Sequence, residues 1–395
     1  MMKIYDKNIE EFVDELINSL RKIIGDKYVL AAVSGGVDST VATYLTWLAV
    51  GDRVKAYIID TGFMREGEIE KVKSLLESLG LQVNIYDASE LFYNSLIGKS
   101  DAEEKRKIFR ELFYETLAKL VKEENADFLV QGTIAPDWIE TTGGIKTQHN
   151  VLTQIGIKPE LKYGFNLIEP LANLYKDQVR ILAKYLKIPE EIRERQPFPG
   201  PGLLVRCVGE FELEKLKALK NMTVLCEDLL MKIDASQSFL AIFKKPRMTT
   251  SKEISDFIKE VKNITGIGGR GFKTFEFYER VTGIKGDSRV YSKMLGIYYK
   301  EVDLLLRAKD EIVKVFPKIL KKHTRIAIMV SEPRPAGKYA IAIRAVKTSD
   351  FMTASVPYVD IKLLQNIVDE VMKDKRITQV YYDITPKPPA TIEYE

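Results

Sequence analysis

The 395-residue sequence is poor in the residues that most often announce chemistry: it has two cysteines and two histidines. Cys207 and Cys226 form no CxxC pair. A disulfide framework is thereby excluded, and so is a paired-cysteine sulfur relay. His149 and His323 alone cannot build a histidine metal cluster, and the Cys-His pairing of a glutaminase is not expected because neither cysteine stands in a nucleophile-elbow context. Apolar runs of transmembrane length are also missing. The segment MMKIYDKNIEEFVDEL lacks the basic start and apolar core of a signal peptide, so a cytoplasmic protein is expected. Charge of one sign is scarce as well. Sixty basic residues face 56 acidic ones, the net charge is +4, and the basic residues are dispersed. Neither a nucleic-acid face nor a membrane surface is expected from that balance.

The chain instead contains short buried-strand patterns alternating with helical ones. Apolar residues recur at helical spacing over 8–24, and Tyr28 to Val33 is a continuous apolar run. A helix is expected over 41–50, a strand over 54–59, a helix over 66–79 and a strand over 81–86. A charged helix over 103–125 and a strand over 128–130 follow. Such alternation predicts a doubly wound parallel α/β sheet, with ligands at the C-terminal ends of its strands. Residues 211–265 read as mostly helical. The segments 286–297 and 337–345 each combine a turn, a basic residue near a tyrosine and an extended apolar stretch. Their similarity suggests a duplicated α+β unit. The expected domains are 1–205, 206–305 and 306–395.

Between the first strand and the next helix stands Ser34-Gly35-Gly36-Val37-Asp38-Ser39-Thr40. Two glycines let the backbone turn sharply and approach a ligand. The N–H groups of the following helix start are unpaired, and three hydroxyls add donors, which makes an anion cradle. This is not a GxxxxGK[ST] loop, because no lysine reaches the terminal phosphates. Asp38 beside a phosphate would repel it unless a Mg²⁺ lay between them, so Asp38 is the candidate metal ligand. An isolated SGG would be an ordinary helix cap; the strand before and the helix after favour the cradle.

SGGVDST resembles the signature of the ATP pyrophosphatase, or PP-loop, family, which splits ATP between the α and β phosphates. Further strings narrow the likeness: Asp60-Thr61-Gly62, Gln131-Gly132-Thr133 with Pro136-Asp137, Lys146-Thr147-Gln148-His149-Asn150, Glu169-Pro170-Leu171 with Lys176, Arg195-Gln196-Pro197-Phe198-Pro199-Gly200-Pro201-Gly202-Leu203, and Lys387-Pro388-Pro389-Ala390-Thr391-Ile392-Glu393. In this order they resemble GMP synthetase. An NAD synthetase, the nearest rival with the same loop, would lack PFPGPGL and KPPATIE. A tRNA-modifying factor would need a basic patch or paired cysteines, and a silent scaffold would not need the intact loop.

The resemblance implies ATP and Mg²⁺ as cofactors and xanthosine 5′-monophosphate (XMP) and ammonia as substrates. Ser34 to Thr40, Asp60, Gly62, Gln131, Gly132 and Thr133 would then line the ATP site. Asp38, Asp137, Lys146 and Lys176 would act in catalysis. XMP would meet Arg195, Pro199, Gly200, Pro201, Gly202, Arg289, Arg344, Lys387, Thr391, Ile392 and Glu393. A glutaminase domain is not found in the sequence, so the resemblance implies a separate glutamine amidotransferase subunit, and also a homodimer. Three departures stand out: Gln148 and Gln196 occupy positions where the family usually has histidine, and Tyr394 one where Trp is common. A proton-transfer role for those histidines therefore has no counterpart here.

Overall fold

The computed structural model describes residues 3–4, 7–135, 164–268, 271–286, 288–348 and 352–395. The chain divides into two compact units, Met1–Ser95 with Lys107–Gly200, and Leu96–Arg106 with Pro201–Glu395.

In the first unit a small ribbon, β1 Lys3–Ile4 with β2 Lys7–Asn8, leads into α1 Ile9–Ile24. The boundaries of α1 are set locally. Asn8 caps its N-terminus, Glu10 and Glu11 occupy the first turn, Arg21 and Lys22 the last, and Gly25 closes it at φ 60°. These charges oppose the helix dipole. The sheet contains β3 Val29–Ala32, β4 Val54–Asp60, β5 Val83–Asp87, β6 Phe128–Val130 and β7 Asn166–Ile168. Every pairing is parallel, in the order β5-β4-β3-β6-β7. Helices α2 Val37–Val50, α3 Glu68–Glu77, α4 Ser89–Leu96, α5 Ala102–Glu123 and α6 Lys176–Tyr185 connect or follow these strands. The chain lays down β3, β4 and β5 to one side and then returns to place β6 on the other. The crevice between β3 and β6 is thus the topological switch point, where open α/β sheets bind ligands.

In the second unit β8 Gln237–Lys244, β9 Arg247–Met248, β10 Lys273–Glu276, β11 Val281–Lys285, β12 Ser288–Tyr298, β13 His323–Met329, β14 Tyr339–Val346 and β15 Ile377–Asp383 form one mixed sheet. Its helices include α7 Leu213–Met231, α8 Lys252–Thr265 and α9 Ile361–Val371. The mostly helical reading of 211–265 holds for α7 and α8, but it missed β8 and β9, which lie between them. Phe239 to Phe243 is a continuous apolar run, and it is fully paired with β14 over Gln237–Lys244. A strand buried on both faces shows no alternation, which conceals it beside helical neighbours. The unit's core gathers Phe239, Phe243, Phe277, Met294, Tyr381 and Tyr394. Among the described residues no helix is long and apolar enough to cross a membrane.

Candidate active site: a phosphate loop and a docked tail

The first site element is the turn from β3 into α2. Gly35 has φ 75°, a left-handed value that favours glycine. A Cβ there would also lie 2.6 Å from Val72 Cγ2. Ser34 and Ser39 face each other across the turn with hydroxyls 3.1 Å apart. Ser39 Oγ accepts from the Ser34 N–H at 3.3 Å and donates to the Gly36 carbonyl at 3.1 Å. These bonds hold the loop's shape without filling it. No described group accepts from the N–H groups of Val37, Asp38 and Ser39, and Gly36 supplies no side-chain cap. The first turn of α2 therefore presents open donors at the positive end of its dipole.

Gln131-Gly132-Thr133 follows β6 on the other side of the switch point. A Cβ on Gly132 would lie 2.6 Å from both the Asp38 carbonyl carbon and the Ser39 nitrogen. Glycine at 132 is what lets the two strand ends close together. Gln131 Oε1 and Thr40 Oγ1 are buried without a hydrogen-bond partner among the described residues. Thr133 Oγ1 donates to Glu169 Oε1 at 2.6 Å. Asp60 closes its own turn by accepting from the Gly62 N–H at 2.7 Å, and Tyr93 donates to the Gly62 carbonyl at 2.8 Å.

Lys176, the first residue of α6, donates to Asp38 Oδ2 at 2.6 Å. The start of α6 thus meets the start of α2 at one ion pair. Asp38 Oδ1 is buried with no hydrogen-bond partner among the described residues. An orphaned carboxylate oxygen beside open N–H donors suits a hard cation bridging a carboxylate and phosphate oxygens. Among the described residues no group of three or more His, Cys, Asp or Glu could by itself hold a metal ion.

Arg195 underlies the loop. It donates to the Gly35 carbonyl at 3.1 Å, pairs with Glu68, and lies 5.9 Å from the centre of the Phe198 ring. Arg65 stacks on the same ring at 5.1 Å, and its N–H donates to Glu68 Oε2 at 2.9 Å. Expected as an XMP contact, Arg195 is joined here to the phosphate loop's backbone. Pro199 and Gly200 fall in the first unit, Pro201 and Gly202 in the second. Asp137 and Lys146, like Gln148 and His149, lie outside the described residues.

In the second unit the tail 385–395 is fixed from below. Asp383, Arg325 and Arg344 are fully buried. Arg325 donates to Asp383 Oδ2 at 2.9 Å and to the carbonyls of Thr391 at 2.8 Å and Glu393 at 2.6 Å. Arg344 donates to the carbonyls of Thr385 at 2.5 Å and Thr391 at 3.1 Å. Arg344 was expected among the substrate contacts, and here its partners are the tail's own carbonyls and Asp383. Its guanidinium is spent on the tail's backbone and on Asp383, so it shapes the tail from inside rather than offering itself to a phosphate. Thr391 Oγ1 is likewise engaged with Arg325 at 2.8 Å. Glu393 meets Arg206, and Arg289 pairs with Glu103 at 3.3 Å. The Lys387 N–H donates to the Ala354 carbonyl at 2.8 Å, and Ile392 packs against the core.

Tyr394 fills the space beneath the tail. Its hydroxyl donates to Asp383 Oδ2 at 2.9 Å and its ring packs edge-on to Phe243. The sequence by itself gives no site role to Asp383, Arg206 or Arg325, although Tyr382-Asp383-Ile384 is one of the strings that resemble GMP synthetase. That string carried the only signal, an acidic residue in an apolar strand. Neither cysteine is poised as a nucleophile, since burial pushes the Cys207 thiol up and the Cys226 thiol up to about 12.

A parallel sheet with an open glycine loop at its switch point defines a PP-loop ATP-binding unit, and residues 4–189 match the PP-loop domain family. Residues 306–394 match the GMP synthase C terminal domain. Three relatives are named as the same subunit of a glutamine-hydrolyzing GMP synthase. The one from Sulfurisphaera tokodaii is 47% identical over 98% of this chain and 99% of its own. The one from Saccharolobus solfataricus is 45% identical over 97% and 98%. The one from Archaeoglobus fulgidus is 37% identical over 98% and 100%. The chain belongs to this family of GMP synthase subunits.

Proposed function

We propose that the chain converts XMP to GMP in two steps, using ATP and ammonia. The O2 oxygen of XMP attacks the α phosphorus of ATP, the bond to the β-phosphate oxygen breaks, and pyrophosphate leaves. Ammonia then adds at C2 of the adenylylated nucleotide, loses a proton, and expels AMP. The observation that carries this reading is the set of open N–H donors at Val37, Asp38 and Ser39, behind a loop fixed by Ser34 and Ser39. Donors fixed before the reaction stabilise charge on a leaving pyrophosphate without reorganising.

This reading assigns the residues their roles. Ser34 to Thr40 hold pyrophosphate, and Gln131 to Thr133 line the opposite wall of the switch point. Asp38 would hold Mg²⁺ through Oδ1, the ion neutralising phosphate charge when bound. Lys176 offsets negative charge next to Asp38. Asp137 and Lys146 are assigned to the same chemistry from the sequence alone. The tail from Lys387 to Glu393 is the seat for XMP, with Lys387 and Arg289 toward its phosphate and Glu393 toward its ribose or base. Ammonia comes from a separate glutamine amidotransferase chain, and the protein works as a homodimer in the cytoplasm.

The deciding assay incubates the chain with XMP, MgATP and ammonium. GMP, AMP and pyrophosphate are expected in equal amounts. ADP and phosphate would overturn cleavage between the α and β phosphates. Turnover with glutamine as sole nitrogen source would overturn the reading that a separate chain supplies ammonia.

A further inference from the structure

The geometry points to Arg206 as a positioning residue for the nucleotide acceptor, acting through Glu393. Arg206 closes the 3₁₀ turn Gly202–Arg206 directly after the proline-glycine segment. Its side chain is 2% exposed, too buried to touch a ligand itself. The guanidinium sits over the Phe239 ring, its carbon 4.0 Å from the ring centre. From there Nε donates to Glu393 Oε2 at 3.2 Å and Nη2 to Oε1 at 2.9 Å. Gln237 Nε2 adds a third donor to Oε1 at 3.2 Å. Gln237 and Phe239 stand two residues apart on β8 and so point to the same face of the sheet. The Glu393 backbone is fixed independently, its carbonyl accepting from Arg325 Nη2 at 2.6 Å and from Thr282 Oγ1 at 3.0 Å.

The consequence is an acceptor count. A carboxylate has about four lone-pair directions. Three are taken by fixed donors, and the fourth, on Oε2, stays open. Glu393 keeps 14% of its side chain exposed. The carboxylate thus offers one oriented acceptor and no donor. It suits an N–H or O–H of the incoming nucleotide and rejects a carbonyl or phosphate oxygen at that point. Lysine cannot substitute for Arg206, because a point ammonium lacks the planar fork that engages both oxygens. This inference rests on the reading above that Glu393 meets the nucleotide.

The test separates the two substrates. KM for XMP and for ATP is measured at saturating ammonia, and XMP binding is measured by calorimetry without ATP. Arg206→Gln and Arg206→Lys are expected to raise the XMP KM and Kd about 10- to 100-fold, with the ATP KM changed less than about twofold. Glu393→Gln should do the same. The combined Arg206→Gln/Glu393→Gln variant should be no worse than its worse parent within about twofold, because both act through one carboxylate. Multiplying effects, or KM values for XMP and ATP that rise together, overturn the inference. Should the Arg206 variants fail to fold, Gln237→Leu removes one donor and should raise the XMP Kd a few-fold without touching the ATP KM; an unchanged Kd overturns it. A wild-type chain that binds no XMP sinks the reading of the site and the inference together. Wild-type binding with Arg206→Gln unaffected sinks the inference alone.

Discussion

Asp38 and Gly132 sit against each other, yet substitutions at the two positions should fail in opposite ways. Asp38 is partly exposed, and its pair with Lys176 is too open to solvent to contribute much stability. Asp38→Asn should therefore leave the melting temperature within about 2 °C of wild type. Pyrophosphate release should fall by about 10²–10³-fold, the scale for losing one preorganised charge-stabilising group. Unchanged release would remove Asp38 from the chemistry. Gly132→Ala adds a methyl group 2.6 Å from backbone atoms that cannot move without shifting the first turn of α2. Overpacking of this kind costs about 1–3 kcal/mol. Both thermal stability and ATP affinity should fall, and a variant with normal stability and normal ATP KM would contradict the close approach of β6 to the loop.

Elements differ in how openly their sequences declare them. Strands β3 and β6 were legible as short unbroken apolar runs and β4 as a run interrupted only at Lys55, while α1 and α3 carry apolar residues at helical spacing with one polar face. The loop 34–40 was legible because a glycine pair between strand and helix has few other uses. Strand β8 was not, since Phe239–Phe243 reads equally as buried helix. The structural role of Arg344 was hidden for a related reason: an arginine in an apolar strand looks like a ligand-binding residue until its partners are known. Those partners, the carbonyls of Thr385 and Thr391 and the Asp383 carboxylate, are distant in sequence. Arg344→Ala takes the donor from the Thr385 carbonyl and leaves the Thr391 carbonyl and Asp383 to Arg325 and its neighbours; an orphaned buried acceptor typically costs about 1–3 kcal/mol. The tail should loosen, with a lower melting temperature and faster amide exchange over residues 385–394. Exchange unchanged in that segment would show that Arg344 does not organise it.

At the scale of the molecule, acid should destabilise the fold before it titrates ordinary carboxylates. His323 is buried, and burial holds its imidazole below the usual value of 6.5 despite Glu276 at 3.4 Å. Burial raises Glu276, but Lys293 and Arg247 donate to it and bring it below its usual range overall. Both groups are depressed on folding. Their stabilisation is present above the unfolded-state value and is lost as pH falls, beginning near 6.5 for His323. Denaturant midpoints should decline from pH 7 to pH 5, and His323→Gln should flatten that decline. An equal slope in the variant would assign it to other groups.

Lys105 carries a consequence for how the protein is made. It belongs to the second unit, where it is buried, donates to the carbonyls of Cys207 at 3.2 Å and Gly209 at 2.7 Å, and pairs with Glu395. Nearly 300 residues separate that lysine from that glutamate. At synthesis rates of about 5–20 residues per second, Lys105 waits roughly 15–60 s for its counter-charge to leave the ribosome. A buried ammonium without a partner is strongly disfavoured. The segment 96–106 must therefore stay hydrated while the intervening residues are made, and the second unit can close around Lys105 only once Glu395 has joined it.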